Sequence, residues 1–153
     1  HTGLPNKGAC EVLLNNKEMA AEHTACIMFD LNNLKIINDT KGHSKGDQLI
    51  LNFAHLLRRV IPQEAFVGRY GGDEFMVVIY NTSKTEIEDI LMQLSREKDS
   101  LNSRGNDMPI DYACGWAISD ADSECTIQML LDKADYYMYE NKQSRKKSKQ
   151  SLK

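Results

Sequence analysis

A nearly continuous apolar run at residues 23–31 constrains the fold more than any other feature of the sequence. The run ends in an acid, Asp30, followed by Leu31. Apolar side chains at successive positions are typical of a strand in the buried centre of a sheet, because a half-exposed strand alternates apolar and polar residues. We therefore predict a central strand with a carboxylate at its end.

The remaining patterns predict an α+β fold in which helices pack on an antiparallel sheet. The predicted order is helix, strand, two helices, hairpin, helix, strand, helix. The opening helix is expected to bury Val12 and Leu13, and the tail from Gln143 onward, rich in lysine and serine, is expected to fray. The last helix, residues 127–142, is predicted to face inward with Leu130, Leu131, Ala134, Tyr137 and Met138.

Length and charge narrow the functional classes. A chain of 153 residues with 41% hydrophobic content suits one domain, residues 1–153. It has no long apolar segment or signal-peptide pattern, so we expect a cytoplasmic domain without membrane contact. Its net charge of −3 argues against nucleic-acid binding by broad phosphate neutralisation. The cysteines lack metal-ligand spacing and are expected to be reduced thiols; they are Cys10, Cys26, Cys114 and Cys125.

Two acidic points stand where the predicted backbone is rigid. One is Asp30, and the other is Asp73 with Glu74 at a hairpin between strand-like residues 65–70 and 74–80. The preceding glycines favour a tight turn, because glycine tolerates positive φ. Carboxylates that converge from neighbouring strands make a hard-oxygen site for Mg²⁺ or Mn²⁺, completed by substrate phosphates. The alternative is that Asp30 caps the next helix and that Asp73 and Glu74 form a polar turn.

Residues 71–75 spell Gly-Gly-Asp-Glu-Phe, the signature of the GGDEF domain family, which the chain resembles over nearly its whole length. Residues 2–7 resemble the family's opening. Further matches, in the family's order, are residues 29–31, 35–39, 42–43, 46–47, 134–135 and 138–139, and Lys142. Ordered matches of this extent are far more specific than one five-residue motif.

The resemblance implies a nucleotidyl cyclase fold, akin to polymerase palm domains with a ferredoxin-like core. It also implies a diguanylate cyclase, which condenses two GTP into cyclic di-GMP and two pyrophosphates. On this basis the metal ligands are Asp30, the backbone carbonyl of Leu31, Asp73 and Glu74. Asp73 and Glu74 are also the expected catalytic residues, with Asp73 accepting the proton of the attacking 3′-hydroxyl.

The resemblance assigns six residues to the substrate. Asn38 and Asp47 match the guanine-reading pair, although a helix-end role for Asn38 and an N-cap role for Asp47 are alternatives. His43 has a structural role as its alternative. The others are Leu34, where phenylalanine is common, Lys142 and Lys146, the last in place of an arginine, with a solvated basic tail as the alternative for both lysines.

Product formation from two GTP implies that two such domains meet as a homodimer. An upstream sensory domain is expected in a longer parent protein, and whether that parent is anchored in a membrane stays open. Pro62 and Ala65 stand where many relatives carry an Arg-x-x-Asp product-inhibition site, so we predict that this site is absent. The competing functions are a catalytically silent GTP-binding regulatory domain and a structural dimerisation module.

Overall fold

The predicted central strand is β1 (Ala25–Leu31), an interior strand of a four-stranded sheet. The chain is seen in a computed structural model that describes residues 2–105, 107–120 and 124–151. The other strands are β2 (Phe66–Arg69), β3 (Glu74–Ile79) and β4 (Tyr112–Ile118). The order across the sheet is β2-β3-β1-β4, and every neighbouring pair is antiparallel. The α+β class with an antiparallel sheet is thus confirmed.

In the part of the chain that the structure describes, five helices accompany the sheet in the predicted order. They are α1 (Lys7–Asn15), α2 (Leu34–Lys41), α3 (His43–Val60), α4 (Lys84–Asn102) and α5 (Ile127–Ser151). Within the described residues, none of these helices has both the length and the apolar character needed to cross a bilayer.

Strand β1 is apolar from Ala25 to Phe29 because both faces of the sheet are covered there. Ile27 and Phe29 belong to the cluster that includes α3 and α4, whereas Cys26 and Met28 belong to the cluster that includes α1 and α5. Phe53 of α3 packs its ring 5.8 Å from that of Phe29, edge to face. Alternate residues of one strand therefore enter two different cores, which leaves no solvent-facing position before Asp30.

Three details of the helix predictions are wrong. Helix α1 buries Cys10 and Leu14, and Val12 is 75% exposed, so its inward face lies beside the predicted one. Tyr137 is 53% exposed, while the other four predicted inward residues of α5 are buried. Helix α5 also continues to Ser151, beyond the predicted end at Lys142, and Arg145 attaches this extension to Asp111 and Tyr112.

Gly115 of β4 lets α5 lie directly on the sheet. A Cβ atom built on Gly115 would overlap the backbone of Ala134 and Met138. Backbone atoms cannot move aside as a flexible side chain can, so this position requires glycine for packing. The close approach brings the acid-bearing end of β1 within reach of side chains on α5.

We predict that Gly115→Ala destabilises the domain by more than about 3 kcal/mol, because the methyl group forces β4 and α5 apart. Urea unfolding followed by circular dichroism measures this. Gly72→Ala is the matched control, since nothing lies within 4 Å of a Cβ there. Equal midpoints for the two variants would contradict the packing role of Gly115.

Candidate active site

Asp30 and Glu74 are direct partners across the β1–β3 ladder. Both continue the alternation that points Met28 and Met76 toward α5. Lys142 of α5 meets them there, with its ammonium group paired to Asp30 Oδ2. The Asp30 side chain is only 14% exposed, so this ion pair is largely shielded from solvent. The structure thus brings two predicted ligand residues and one predicted phosphate-binding residue together.

Asp73 completes the acidic group from the hairpin. Its backbone carbonyl accepts a hydrogen bond from Leu31 N at 2.7 Å, which fixes the hairpin beside the end of β1. Burial raises the pKa of Asp73, and the charge of Asp30 and a hydrogen bond between the two carboxyls raise it further. Burial likewise raises the pKa of Glu74, with additional contributions from Asp30, Asp73 and Asp135. The charge of Lys142 lowers both pKa values, but burial and the neighbouring acids outweigh it.

The hairpin is held by an arginine rather than by glycine geometry. Arg69 donates from Nε to the Gly71 carbonyl at 3.2 Å and from Nη2 to the Gly72 carbonyl at 2.7 Å. The positive-φ glycines among the described residues are Gly3, Gly42 and Gly105, so the reason given for a glycine turn at residues 71–72 is wrong. Gly72 instead leaves open space, since nothing lies within 4 Å of a Cβ built there.

The structural alternatives are wrong for Asp30 and Glu74, whereas Asp73 does lie in the bend at the hairpin tip. Helix α2 is preceded by Asn33, in the left-handed conformation and without a side-chain cap, so Asp30 does not cap it. Glu74 is the first residue of β3 and not part of a turn. Asp30 and Glu74 therefore stand at the site without the cap or turn role that the alternative gave them.

The guanine-reading candidates lie around the start of α3. Asn38 packs so closely against the buried Gly46 that a Cβ there would overlap its side chain, and Leu34 touches the same point. Asp47 is the fifth residue of α3, so an N-cap role is wrong. It lines a pocket of about 130 Å³ with Thr2, Ser44, Gln48, Ile50, Leu51 and Arg69.

His43 is exposed at the first position of α3, and the residues lining the Asp47 pocket do not include it. The structure therefore leaves its proposed nucleotide contact without support from a shared cavity. Its position in the sequence remains the only argument for it.

A second pocket, of about 250 Å³, lies beside Asp30. Lys142, Arg145 and Lys146 form its α5 wall, and Asn32, Asn33 and Asp111 line the rest. Three cations face a single carboxylate, an arrangement that suits an anionic ligand. Both phosphate-binding candidates are thus brought together, and the basic-tail alternative does not describe Lys142, which pairs with Asp30.

Sequence reasoning missed Arg69, Asp111 and Arg145. Arg145 donates to Asp111 Oδ1 at 2.7 Å and to the Tyr112 carbonyl at 2.6 Å. Burial alone would raise the pKa of Asp111, but hydrogen bonds from Arg145 and Asn32 outweigh it and lower the pKa. These pairs span more than 30 residues of sequence, so no local pattern reveals them.

The oxygen donors at the site fit a hard divalent cation. Asp30, Asp73 and Glu74 offer carboxylates and Leu31 offers a carbonyl, which is the ligand chemistry that Mg²⁺ and Mn²⁺ prefer. Among the described residues, no three His, Cys, Asp or Glu side chains are spaced as an assembled metal site. The raised pKa values of Asp73 and Glu74 nevertheless favour an added positive charge.

The antiparallel sheet, with acids at the junction of β1 and the β2–β3 hairpin, is typical of nucleotidyl cyclase-like domains. The chain belongs to the diguanylate cyclase, GGDEF domain family, which matches residues 1–148.

Similar proteins carry the same domain within longer chains. The signaling protein YkoW of Bacillus subtilis is 33% identical over 155 residues, which cover 97% of this chain and 19% of that protein. Diguanylate cyclase DgcP of Escherichia coli is 31% identical over 157 residues, covering 96% of this chain and 45% of that protein. This chain therefore spans less than half the length of these relatives.

Solved structures share the fold. The coiled coil and GGDEF domain of DgcB from Caulobacter crescentus, in complex with c-di-GMP, superposes with a TM-score of 0.77 at 26% identity. The match covers 94% of this chain and 78% of that one. The active GGEEF domain of a Vibrio cholerae diguanylate cyclase gives a TM-score of 0.69 at 28% identity, over 80% of this chain and 78% of that one.

Proposed function

We propose that this domain is a metal-dependent diguanylate cyclase that joins two GTP into cyclic di-GMP and releases two pyrophosphates. The observation that carries the proposal is the convergence of Asp30, Asp73 and Glu74 beside a cationic pocket. The acids suit the reacting centre and the cations suit the phosphates.

Arg69 and Lys142 connect this centre with the two pockets. Arg69 lines the Asp47 pocket and also holds the Gly71 and Gly72 carbonyls. Lys142 lines the cationic pocket and pairs with Asp30. A nucleotide with its base toward Asp47 and its phosphates toward Lys142 and Lys146 would present the α-phosphate near the acids.

Asp73 is the proposed acceptor of the 3′-hydroxyl proton. A general base is most effective when its pKa lies near the working pH. Burial and the neighbouring Asp30 move the pKa of Asp73 in that direction. Glu74, whose pKa is raised by the same surroundings, is proposed as its partner at the reacting centre.

Asp30, the Leu31 carbonyl, Asp73 and Glu74 are proposed to hold Mg²⁺ or Mn²⁺. The bound ion would supply charge neutralisation for the leaving pyrophosphate and make the attacking oxygen more nucleophilic. Lys142 already lies on Asp30, so part of the required positive charge belongs to the chain itself.

Asp47 and Asn38 are proposed to select guanine. A carboxylate accepts from the guanine N1–H and exocyclic amine together, a pair of donors that adenine lacks. Leu34 packs beside Asn38 at Gly46 and is proposed to shape the same region, and His43 is retained as a weaker candidate beside the nucleotide.

Two domains are proposed to face one another during catalysis. One site presents one guanine pocket and one set of acids, whereas the product contains two guanosines. A twofold arrangement lets each domain deliver its hydroxyl to the other's α-phosphate. A sensory partner domain in the parent protein is proposed as the control on this encounter.

Asp73→Asn is predicted to lower cyclic di-GMP formation by at least about 10²-fold, because the proton acceptor is lost while the shape is kept. The thermal midpoint should stay equal or rise, since a repulsive carboxylate beside Asp30 is removed. Chromatography of nucleotides after incubation with GTP and Mg²⁺ measures the first effect, and a thermal melt measures the second.

Asp89→Asn on the exposed surface of α4 is the matched control. Wild-type protein that binds GTP and converts none of it would support the silent regulatory domain instead. Absence of both binding and conversion would leave a structural dimerisation module.

Asp47→Ala is predicted to raise the KM for GTP by at least about tenfold, because a charged hydrogen-bond acceptor for guanine is lost. The preference of the enzyme for GTP over ATP should fall for the same reason. Initial rates with ATP as competitor measure this. Asp39→Ala, an exposed acid on α2, removes the same charge and should leave discrimination unchanged. Unaltered GTP preference in Asp47→Ala would rule out its proposed role.

Product inhibition through the Arg-x-x-Asp position is proposed to be absent. Pro62 and Ala65 line a pocket of about 520 Å³ whose other walls include Leu4, Ile61 and Val67. Among the described residues, its lining has one charged residue, Arg58, and no acid to pair with it. An isolated arginine in a mostly apolar pocket lacks the arginine-carboxylate pair that the inhibitory motif supplies.

We predict that added cyclic di-GMP leaves the initial rate unchanged up to concentrations far above the KM for GTP, apart from competition at the active site. Rates measured at several GTP concentrations separate the two effects. Noncompetitive inhibition that disappears in Arg58→Ala would show that this pocket binds the product after all.

A further inference from the structure

The end of α5 is held by polar contacts rather than by a hydrophobic face. Its sequence at residues 143–151 contains no apolar residue and favours fraying on its own. Arg145 supplies the attachment through its two hydrogen bonds to Asp111 and to the Tyr112 carbonyl, at the start of β4. Lys142 and Lys146 lie three residues before and one residue after it.

Asp111 connects this helix to the opposite wall of the cationic pocket. Its Oδ2 accepts a hydrogen bond from Asn32 Nδ2 at 3.0 Å, and its backbone carbonyl accepts one from Asn32 N at 2.8 Å. One carboxylate thus binds α5 through one oxygen and the turn after β1 through the other. We call Asn32, Asp111 and Arg145 the clamp.

The clamp surrounds the residues that would grip phosphate. Residues three and four apart share one face of a helix, so Lys142, Arg145 and Lys146 face the pocket together. The Arg145 and Asp111 side chains are 38% and 28% exposed, so their pair is partly shielded from water and held by a charge-assisted bond. A frayed helix end would leave Lys146 free to point elsewhere.

We propose that Arg145 is a positioning residue: through the clamp it holds the last turns of α5 so that Lys142 and Lys146 face the phosphates of the nucleotide. The inference rests on the proposed function for the identity of the ligand. It does not need the chemistry to occur, because any polyphosphate that fills the pocket would depend on the same clamp. The benefit is preorganisation, since ordering two lysines during binding would otherwise weaken affinity.

Removal of Asp111 separates this proposal from simple electrostatics. Asp111 is the sole acid among the residues that line the pocket in the described chain. If charge alone governed binding, Asp111→Ala would strengthen anion binding. If the clamp governs it, the same variant weakens binding, because Arg145 and the helix end are released.

The experiment measures the affinity of inorganic tripolyphosphate by calorimetry, alongside kcat and KM for GTP. Arg145→Gln and Asp111→Ala should each weaken tripolyphosphate binding by about tenfold, the loss expected for a charged hydrogen bond. The KM for GTP should rise by a similar factor with kcat changing less. Arg145→Lys, which keeps the charge but not the planar fork, should also lose affinity.

Matched controls are Lys133→Gln on α5 and Asp89→Ala on α4, both exposed and outside the pocket lining. Circular dichroism confirms folding of each variant. Hydrogen exchange of the amides of residues 141–146 should quicken in Arg145→Gln and Asp111→Ala and stay unchanged in the controls.

Tighter tripolyphosphate binding by Asp111→Ala, or unchanged binding by Arg145→Gln, would overturn the proposal. Loss in Arg145→Gln together with no loss in Asp111→Ala would also overturn it, since Arg145 would then act by direct contact. If wild-type protein makes no cyclic di-GMP yet shows the expected polyphosphate effects, the proposed function fails while the clamp stands.

Discussion

Three carboxylates crowd the junction of β1 and the β2–β3 hairpin, and the surrounding structure must compensate for their repulsion. Asp30 and Glu74 are ladder partners, and Asp73 shares a hydrogen bond with Asp30. Burial removes the water that would otherwise screen them. The ammonium group of Lys142, on a helix near the C-terminal end of the sequence, compensates part of this repulsion by pairing with Asp30.

That delivery depends on packing far from the charges. Gly115 allows α5 to rest on β4, and the clamp fixes the end of the same helix. The apolar half of α5 sets its distance from the sheet, whereas its polar half sets which side chains reach Asp30 and the neighbouring pocket. One helix thus joins a hydrophobic core to an ionic site. A substitution that disturbs the packing of its apolar half or the contacts of its polar half would displace Lys142.

The fold was predictable from local patterns, because the apolar run of the central strand and the apolar faces of the helices are both clear in the sequence. The continuous apolar run of β1 and the order of elements were sufficient for the α+β sheet, and the family signature located Asp30, Asp73 and Lys142 correctly in one region. Arg69 and the clamp were not predictable. Their partners are backbone carbonyls or distant side chains, and a lysine-rich helix end reads as a tail unless Asp111 is known to lie beside it.

Neither Gly71 nor Gly72 has a positive φ, and nothing lies within 4 Å of a Cβ built on Gly72. Folding therefore places little steric demand on residue 72, whereas the nucleotide of the proposed function would. Substitutions at residue 72 would leave expression level and thermal stability unchanged. A variant that loses substrate access would therefore still be a stably folded protein. The stability of the fold thus says little about whether the tip of this hairpin can admit a substrate.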